Sequence, residues 1–440
     1  MGTGPDAVRQ VRRKAALAAA VGTLLEYYDY YLFGLASAVV FPKLFFPESS
    51  PLAGQLASFA TFAVGFLLRP IGGIVLGHVA DRVGRQKALV ITIVMMGAAT
   101  LLIGLLPGYR SIGVAAPILL VVLRLVQGFS TGGEMGGATA LAVEHARPDR
   151  RGLFGALLLS GSGVALFISS GLMSLVSSLP EEQFLSWGWR VPFWLSLVLL
   201  LAGLVIRSRV PETPVFTADR AADTGTRRTP LMEVLRQPRA LVLGVLFGFA
   251  NSIGGYVLTV YGPAYLEDRG SPASLALTAT MIASGVQIVL APTWGLLSDR
   301  VGRKPVFLGG CAGLAVLIFP IFGMFASGKP VLVYLGMTLG FAVCVIAMSA
   351  LSQTILSEMF ATFARSTGVG LGYQLTAVLA GGFAPMIASA LTAAAGGASW
   401  GVSLYVIAGC ALSAAAIIAV PESAGRSLRA DRRAAVETGG

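Results

Sequence analysis

The sequence predicts an all-α, polytopic membrane protein with twelve transmembrane helices arranged as two homologous six-helix halves. Hydrophobic residues make up 55% of the 440 residues and charged residues 12%, and this charged share is roughly half of what soluble domains carry. Apolar stretches of membrane-spanning length recur along the chain, and motifs of the first half recur in the second. A soluble chain of this length would need far more charge to cover its surface. The composition therefore excludes a soluble enzyme and a nucleic-acid-binding domain.

The twelve spans are defined by hydropathy and by the breaks between apolar stretches. A transmembrane helix needs about 20 mainly apolar residues, because each residue advances the helix by about 1.5 Å. Twelve stretches meet this length, with limits at 17–40, 55–79, 88–107, 115–141, 152–178, 191–208, 240–265, 273–297, 305–326, 331–356, 368–394 and 400–420. The predicted organisation is a tail (1–14), a first half (15–208), a linker with a short helix around Leu231 to Arg236 (209–239), a second half (240–420) and a second tail (421–440).

Lysine and arginine predict the orientation, because they accumulate in loops on the cytoplasmic side. Of the 32 such residues, 25 fall in segments that are cytoplasmic if the N-terminus is inside, and two lie within spans. The remaining five lie in outer loops: Lys43, Arg110, Arg190, Arg269 and Lys329. We therefore expect a multi-pass protein of the inner cell membrane with both termini in the cytoplasm. We call the predicted cytoplasmic side the inner side and the opposite side the outer side.

Three landmarks of the first half recur in the second half in the same order. The first recurs 218 residues later and the others at similar offsets. The pairs are 77–87 (GHVADRVGRQK) and 295–304 (GLLSDRVGRK), Glu144 and Glu358, and 211–213 (PET) and 421–423 (PES). This order indicates two homologous halves, and such halves hold a substrate site between them near the middle of the membrane.

The repeated loop pattern Gly-x-x-x-Asp-Arg-x-Gly-Arg resembles the loop signature of the major facilitator superfamily. Three further segments resemble its metabolite:proton symporter family: 22–34 (GTLLEYYDYYLFG), 69–73 (RPIGG) and 124–134 (RLVQGFSTGGE). That family includes carriers for shikimate, 2-oxoglutarate, citrate and proline/betaine, and segment 181–190 (EEQFLSWGWR) looks most like its shikimate-type branch. The chain departs from the family at Met135, where tryptophan is common. The resemblance implies a proton-coupled symporter that works by alternating access.

Five ionisable residues lie deep in the predicted spans, all in the first half: Glu26, Asp29, Arg69, Arg124 and Glu134. A charge within a membrane is costly unless it is paired or hydrated, so such residues are functional by default. Glu26 and Asp29 share one helix face because they lie three residues apart. A rise of about 1.5 Å per residue places Arg69 at the depth of Glu26 and Glu134, and it places Arg124 nearer the outer face.

We predict that these five residues couple transport to protons. A buried carboxylate beside an arginine can take up a proton on one side of the membrane and release it on the other. Asp29 and Glu134 are the favoured carriers, and Arg124 is expected to pair with the acid and with an anionic substrate. Which of the three acids carries the proton stays open. The alternative is a fixed ion pair that only orders the first half.

A second set of residues is predicted to contact the substrate. Tyrosines lie beside the two acids of the first span, and neutral polar residues lie in the spans of the second half, where a buried amide must find hydrogen-bond partners. The predicted contacts are Arg124, Tyr27, Tyr30, Tyr31, Gln127, Asn251, Tyr256, Gln287, Tyr373 and Gln374. The alternative for the tyrosines is packing in helix interfaces with their hydroxyl groups satisfied.

The repeated loops carry charges next to glycines, which allow tight backbone turns. We predict gating residues in both copies: Asp81, Arg82, Gly84, Arg85, Asp299, Arg300 and Arg303. Such charge clusters bridge helix ends while the inner side is closed and separate when it opens. The alternative is that the basic residues only enforce the topology.

These patterns predict a proton-coupled importer of a small polar metabolite, with an organic acid as the first class and a shikimate-like monocarboxylate as the best single guess. A proline/betaine-type osmolyte:proton symporter and a drug/proton antiporter of the same fold are the alternatives. The expected partners are the substrate, the proton and the lipid bilayer, with no nucleic acid, and the expected functional unit is a monomer. We expect no enzyme activity, no cofactor besides the proton as coupling ion, and no metal, because Cys311, Cys344 and Cys410 lie in apolar runs without ligand spacing.

Overall fold

A computed structural model describes residues 24–132, 150–208, 230–360, 365–420 and 422. Every element in these residues is helical, because a chain that crosses lipid must satisfy its backbone N–H and C=O groups internally. Eleven of the described helices are long and apolar enough to cross a membrane. The described part of the first predicted span, residues 24–39, is also helical, which agrees with the twelve predicted spans.

The first half contains spanning helices α1 to α6. Their bounds are α1 (24–39), α2 (Pro51–Leu67, continued by Arg69–Val83), α3 (Arg85–Leu105), α4 (Ala115–Gly132), α5 (Arg151–Ser177) and α6 (Arg190–Ser208). Helix α2 begins four residues before the predicted limit. Ser50 precedes it, and its hydroxyl oxygen accepts a hydrogen bond from the Ala53 N–H at 3.3 Å, while Pro51 occupies a position where a missing N–H costs nothing.

The second half contains α7 to α12. Their bounds are α7 (Pro238–Leu246, then Phe249–Tyr256, Val257–Tyr261 and Gly262–Asp268), α8 (Ala273–Val301), α9 (Arg303–Ala326), α10 (Pro330–Met337, Thr338–Val345 and Ile346–Met359), α11 (Arg365–Thr376, Ala377–Gly382 and Ala384–Ala394) and α12 (Trp400–Ala419). The short linker helix predicted around Leu231 to Arg236 is observed at Pro230–Leu235.

Three helices of the second half contain π-helical segments, which the hydropathy pattern does not reveal. They are Val257–Tyr261 in α7, Thr338–Val345 in α10 and Ala377–Gly382 in α11. A π-helical turn accommodates one extra residue and redirects the side chains beyond it, and such turns are frequent at functional sites.

The two halves meet along α5 and α8, which lie against each other over most of their length. At the inner end, a Cβ atom on Gly295 of α8 would lie 2.5 Å from the carbonyl oxygen of Gly152 on α5. Only glycine permits this approach. Small residues at helix contacts are favoured in lipid, where close packing rather than hydrophobicity drives association.

Candidate functional site

A cavity of about 170 Å³ lies between the two halves. One water needs about 10–15 Å³ in this measure, so the cavity has room for a small metabolite. Helices α1 and α5 of the first half and α7, α8, α10 and α11 of the second half form its wall. Eight residues singled out from the sequence line it: Glu26, Tyr27, Tyr30, Tyr31, Asn251, Tyr256, Gln287 and Tyr373.

Five uncharged polar lining residues are absent from the predicted substrate contacts. These residues are Ser252, Thr259, Ser349, Ser352 and Gln353. Hydroxyl groups in apolar helices bond to their own backbone, as the Thr259 hydroxyl does to the Gly255 carbonyl at 2.7 Å, so a serine or threonine carries little directional signal. The spacing of the three α10 residues would have placed them on one helix face, because residues three and four apart are neighbours.

Tyrosines of both halves meet beside the cavity. The rings of Tyr27 and Tyr31 stack with their centroids 5.8 Å apart. Across the halves, the Tyr30 and Tyr256 ring centroids lie 5.8 Å apart, and the hydroxyl oxygens of Tyr27 and Tyr373 lie 3.4 Å apart. These rings connect the halves without filling the cavity between them.

A second cavity of about 10 Å³ adjoins these tyrosines and is lined by both Glu26 and Arg69. The Arg69 guanidinium lies 4.3 Å from the centroid of the Phe66 ring and 5.1 Å from that of Tyr30. Arg69 Nε has no hydrogen-bond partner in the described part of the chain. The sequence predicts that Arg69 lies at the same membrane depth as Glu26 and Glu134. Glu26 lies beside it at this cavity, and Glu134 lies outside the described residues.

Arg124 and Gln127 lie outside the cavity lining, which differs from their predicted contact with the substrate. The Arg124 guanidinium is 4.2 Å from the Phe33 ring centroid and 5.0 Å from that of Phe62, so aromatic rings surround it. Its Nη1 donates to Gln127 Oε1 at 3.2 Å, and Gln127 Nε2 donates to the Thr100 hydroxyl at 2.7 Å. These bonds occupy the Gln127 amide. Gln374, also a predicted contact, is buried but does not line the cavity either.

Asp29 lies with this buried arginine rather than in the cavity wall. It is 4% exposed and interacts with the Thr100 hydroxyl and with the positive charge of Arg124. Its Oδ1 has no hydrogen-bond partner among residues that the structure describes. The α1 helix therefore carries two acids in different surroundings, with Glu26 at the cavity and Asp29 beside Arg124.

The second copy of the loop motif connects the two halves at the inner side. The two carboxylate oxygens of Asp299 accept hydrogen bonds from the Gly152 N–H at 2.9 Å and the Leu153 N–H at 3.0 Å, at the start of α5. Arg303 Nη1 donates to the same carboxylate at 2.6 Å and its Nη2 lies 3.6 Å from Glu358 Oε1. A carboxylate at a helix N-terminus satisfies free N–H groups and meets the positive end of the helix dipole.

The other predicted gating residues differ in their surroundings. Arg82 and Arg300 are exposed. Gly84 and Gly302 have φ values of 94° and 103°, a backbone region that favours glycine, and each directly precedes the next helix. The side chains of two further predicted gating residues lie outside the described part of the structure: Asp81 and Arg85.

A second contact between the halves lies at the outer side and was not predicted. Lys43, after α1, pairs with Glu181 of its own half at 2.9 Å and with Glu267 of α7 at 2.8 Å. Partial burial lowers the pKa of Lys43, but its hydrogen bonds to the two carboxylates outweigh burial and raise this pKa above its usual value. Lys43 is therefore charged at neutral pH and attracts both acids.

Comparisons with known proteins agree with this architecture. Residues 15–232 and 226–433 match the model of the family described as sugar (and other) transporter. The shikimate transporter of Escherichia coli K12 is 38% identical over 421 residues, which cover 93% of this chain and 95% of that one. The proline/betaine transporter of the same organism is 35% identical and covers 86% of this chain and 77% of that one.

Solved structures show the same fold. A D-xylose–proton symporter superimposes with a TM-score of 0.74 at 20% identity, over 94% of this chain and 99% of that one. The prediction of twelve spans in two six-helix halves is confirmed, and so is the prediction of a membrane transporter rather than an enzyme. Its transporter relatives indicate that it transports a small metabolite. The chain belongs to the sugar (and other) transporter family of the major facilitator superfamily.

Proposed function

We propose that the protein is a proton-coupled symporter that imports a small organic acid, in the first place a shikimate-like monocarboxylate, by alternating access. The observation that carries this proposal is the cavity between the halves, which combines Glu26, five tyrosines and several neutral polar groups. Under this proposal both termini lie in the cytoplasm and a single chain is the functional unit.

The charges around the cavity support a substrate with one carboxylate. Arg69 is the one cation among the described residues that line the large and the small cavity. A single guanidinium pairs well with one carboxylate, and a second carboxylate would be left without a partner at a cost. The remaining amides and hydroxyls suit a hydroxylated body. A shikimate transporter among the relatives agrees with this chemistry.

We assign the proton to Asp29. One oxygen of its carboxylate, Oδ1, has no hydrogen-bond partner among the described residues. A buried negative charge is costly within a membrane, and a proton would remove this charge. Glu26 and Tyr30 lie on the same helix as Asp29 and line the cavity, so substrate binding and protonation both act on α1. One proton that moves inward with one monocarboxylate anion carries no net charge across the membrane potential, so the proton concentration gradient would drive accumulation.

A proline/betaine-type osmolyte:proton symporter is the second candidate. Five tyrosine rings and the Glu26 carboxylate line the cavity, and aromatic faces attract ammonium groups by cation–π interaction. The 35% identity to a proline/betaine transporter supports this candidate independently.

The proposal is tested by uptake of radiolabelled shikimate into proteoliposomes, with proline and 2-oxoglutarate as competitors. We expect saturable uptake that rises with an inward proton gradient. In Asp29→Asn the accumulation should be lost, whereas Asp268→Asn, which changes an exposed acid at the outer end of α7, should behave as the unchanged protein.

Three outcomes would count against parts of the proposal. Uptake that ignores the proton gradient would refute proton coupling. Uptake of proline alone would favour the second candidate. Substrate that drives protons in the opposite direction would indicate an antiporter.

A further inference from the structure

The side chain of Gln287 on α8 connects the cavity with the opposite half of the protein. It is 1% exposed and lines the cavity. Its Nε2 donates to the Ser162 hydroxyl oxygen at 3.2 Å and to the Leu159 carbonyl at 3.4 Å, both on α5. Its Oε1 has no hydrogen-bond partner within the described ranges. The NH₂ group of the amide is therefore hydrogen-bonded to α5, whereas its oxygen has no partner among the described residues.

The chemistry of the partners fixes which end faces α5. A backbone carbonyl can only accept a hydrogen bond, so the NH₂ group and not the oxygen of Gln287 must face Leu159. The Ser162 hydroxyl donates its own hydrogen to the Leu159 carbonyl at 2.8 Å. Its oxygen is then available to accept from Gln287 Nε2. The reversed orientation would bring two acceptors together at Leu159, so Oε1 is the free polar atom of Gln287.

We propose that Gln287 Oε1 accepts a hydrogen bond from the transported molecule and thereby favours substrates that carry a hydroxyl or ammonium N–H donor. This inference rests on the proposed function and names the substrate class of the same cavity. Oε1 is buried and has no partner among the described residues, so a donor on the substrate would form a hydrogen bond there that a donor-free substrate cannot form. A substrate without a donor leaves a buried acceptor unpaired, which lowers its binding roughly tenfold to a hundredfold.

The hydrogen bonds from Gln287 to α5 also link substrate binding to the contact between the halves. Nε2 holds α5 of the first half while Oε1 holds the substrate, so a bound donor polarises the amide that bonds across the halves. Hydrogen bonds in such a chain strengthen one another in a low-dielectric surrounding. A substrate bound to Gln287 therefore strengthens the hydrogen bonds that Gln287 makes to the other half.

The test compares two pairs of probes that differ in their donors. Shikimate carries hydroxyls, whereas 1-cyclohexene-1-carboxylate keeps the ring and the carboxylate without them. Proline carries ammonium N–H groups, whereas N,N-dimethylproline does not. Each donor-free probe competes with its radiolabelled partner for uptake into proteoliposomes. We expect the donor-bearing member of the transported pair to bind at least tenfold more tightly in the unchanged protein, and this ratio requires no variant.

Two variants assign the effect to Gln287. Gln287→Met keeps the volume and removes the acceptor, and it should lower the selectivity ratio about tenfold. Ser162→Ala removes one partner of Nε2 and leaves Oε1 in place, so it should keep the ratio even if the transport rate falls. A merely structural role would change the rate in both variants and the ratio in neither.

The outcomes separate this inference from the proposed function. A ratio near one in the unchanged protein overturns the preference for donors while symport stands. An unchanged ratio in Gln287→Met overturns the role of this residue. A protein that carries neither shikimate nor proline overturns both proposed substrates, and the inference falls with them.

Discussion

Replacing Asp299 by asparagine should open the inner side of the protein. The Asp299 carboxylate accepts from two N–H groups of α5 and from Arg303, with side-chain exposures of 5% and 2% for Asp299 and Arg303. Asparagine offers one acceptor oxygen, so one α5 N–H group loses its partner. That loss costs about 1–3 kcal/mol, and the missing charge at the helix N-terminus costs a further ~1 kcal/mol.

The closed inner side should therefore lose about 2–4 kcal/mol relative to the open one. Because each 1.4 kcal/mol changes an equilibrium constant tenfold, the ratio of molecules with an open inner side to molecules with a closed one should rise by roughly 30-fold to nearly 1000-fold. Hydrogen–deuterium exchange reads this directly, since the Gly152 and Leu153 amides are the groups that lose protection. Arg300→Gln is the matched control, because Arg300 is the exposed neighbour of Asp299 in the same motif. Unchanged exchange at the start of α5 in Asp299→Asn would refute this reasoning.

Two further changes probe the contacts between the halves. Lys43→Gln removes both outer ion pairs. Because the Lys43 side chain is 43% exposed, each pair is worth no more than about 1 kcal/mol, so initial uptake rates should change by less than roughly thirtyfold, and complete loss of transport would contradict this. Gly295→Ala places a methyl group against the Gly152 carbonyl and should lower the melting temperature in detergent by several degrees. The equivalent change at Gly309, where a Cβ meets open space, should leave it unchanged, and equal effects would refute the close-packing argument.

The spans could be predicted because lipid imposes a strict requirement on them. A helix that crosses the membrane must be apolar over a fixed length, and this leaves a direct trace in the sequence. The π-helical segments of α7, α10 and α11 leave none, because an extra residue in one turn hardly changes hydropathy. They matter for the site nonetheless, since Thr259, Phe341 and Ala377 within them line the cavity.

The site could be predicted less completely, because sequence gives the depth of a residue but not its direction. Tyr30 and Arg124 both lie deep in their spans, yet Tyr30 lines the cavity and Arg124 does not. The direction depends on helix rotation and on the aromatic rings that pack between Arg124 and the cavity, such as Phe62. The outer contact of Lys43 with Glu181 joins residues 138 positions apart, and a pattern of neighbouring residues in the sequence cannot predict such a pair.

The two charged contacts between the halves respond differently to salt. The Debye length is about 8 Å at physiological ionic strength, and the outer pair of Lys43 with Glu267 lies where dissolved ions can reach it. The inner contact of Asp299 is buried and is shielded from those ions. A higher salt concentration therefore weakens the outer contact of Lys43 with Glu267 and leaves the inner contact of Asp299 unchanged. Under the proposed orientation and alternating-access mechanism, a more saline outer medium would therefore favour the conformation in which the cavity opens to that medium.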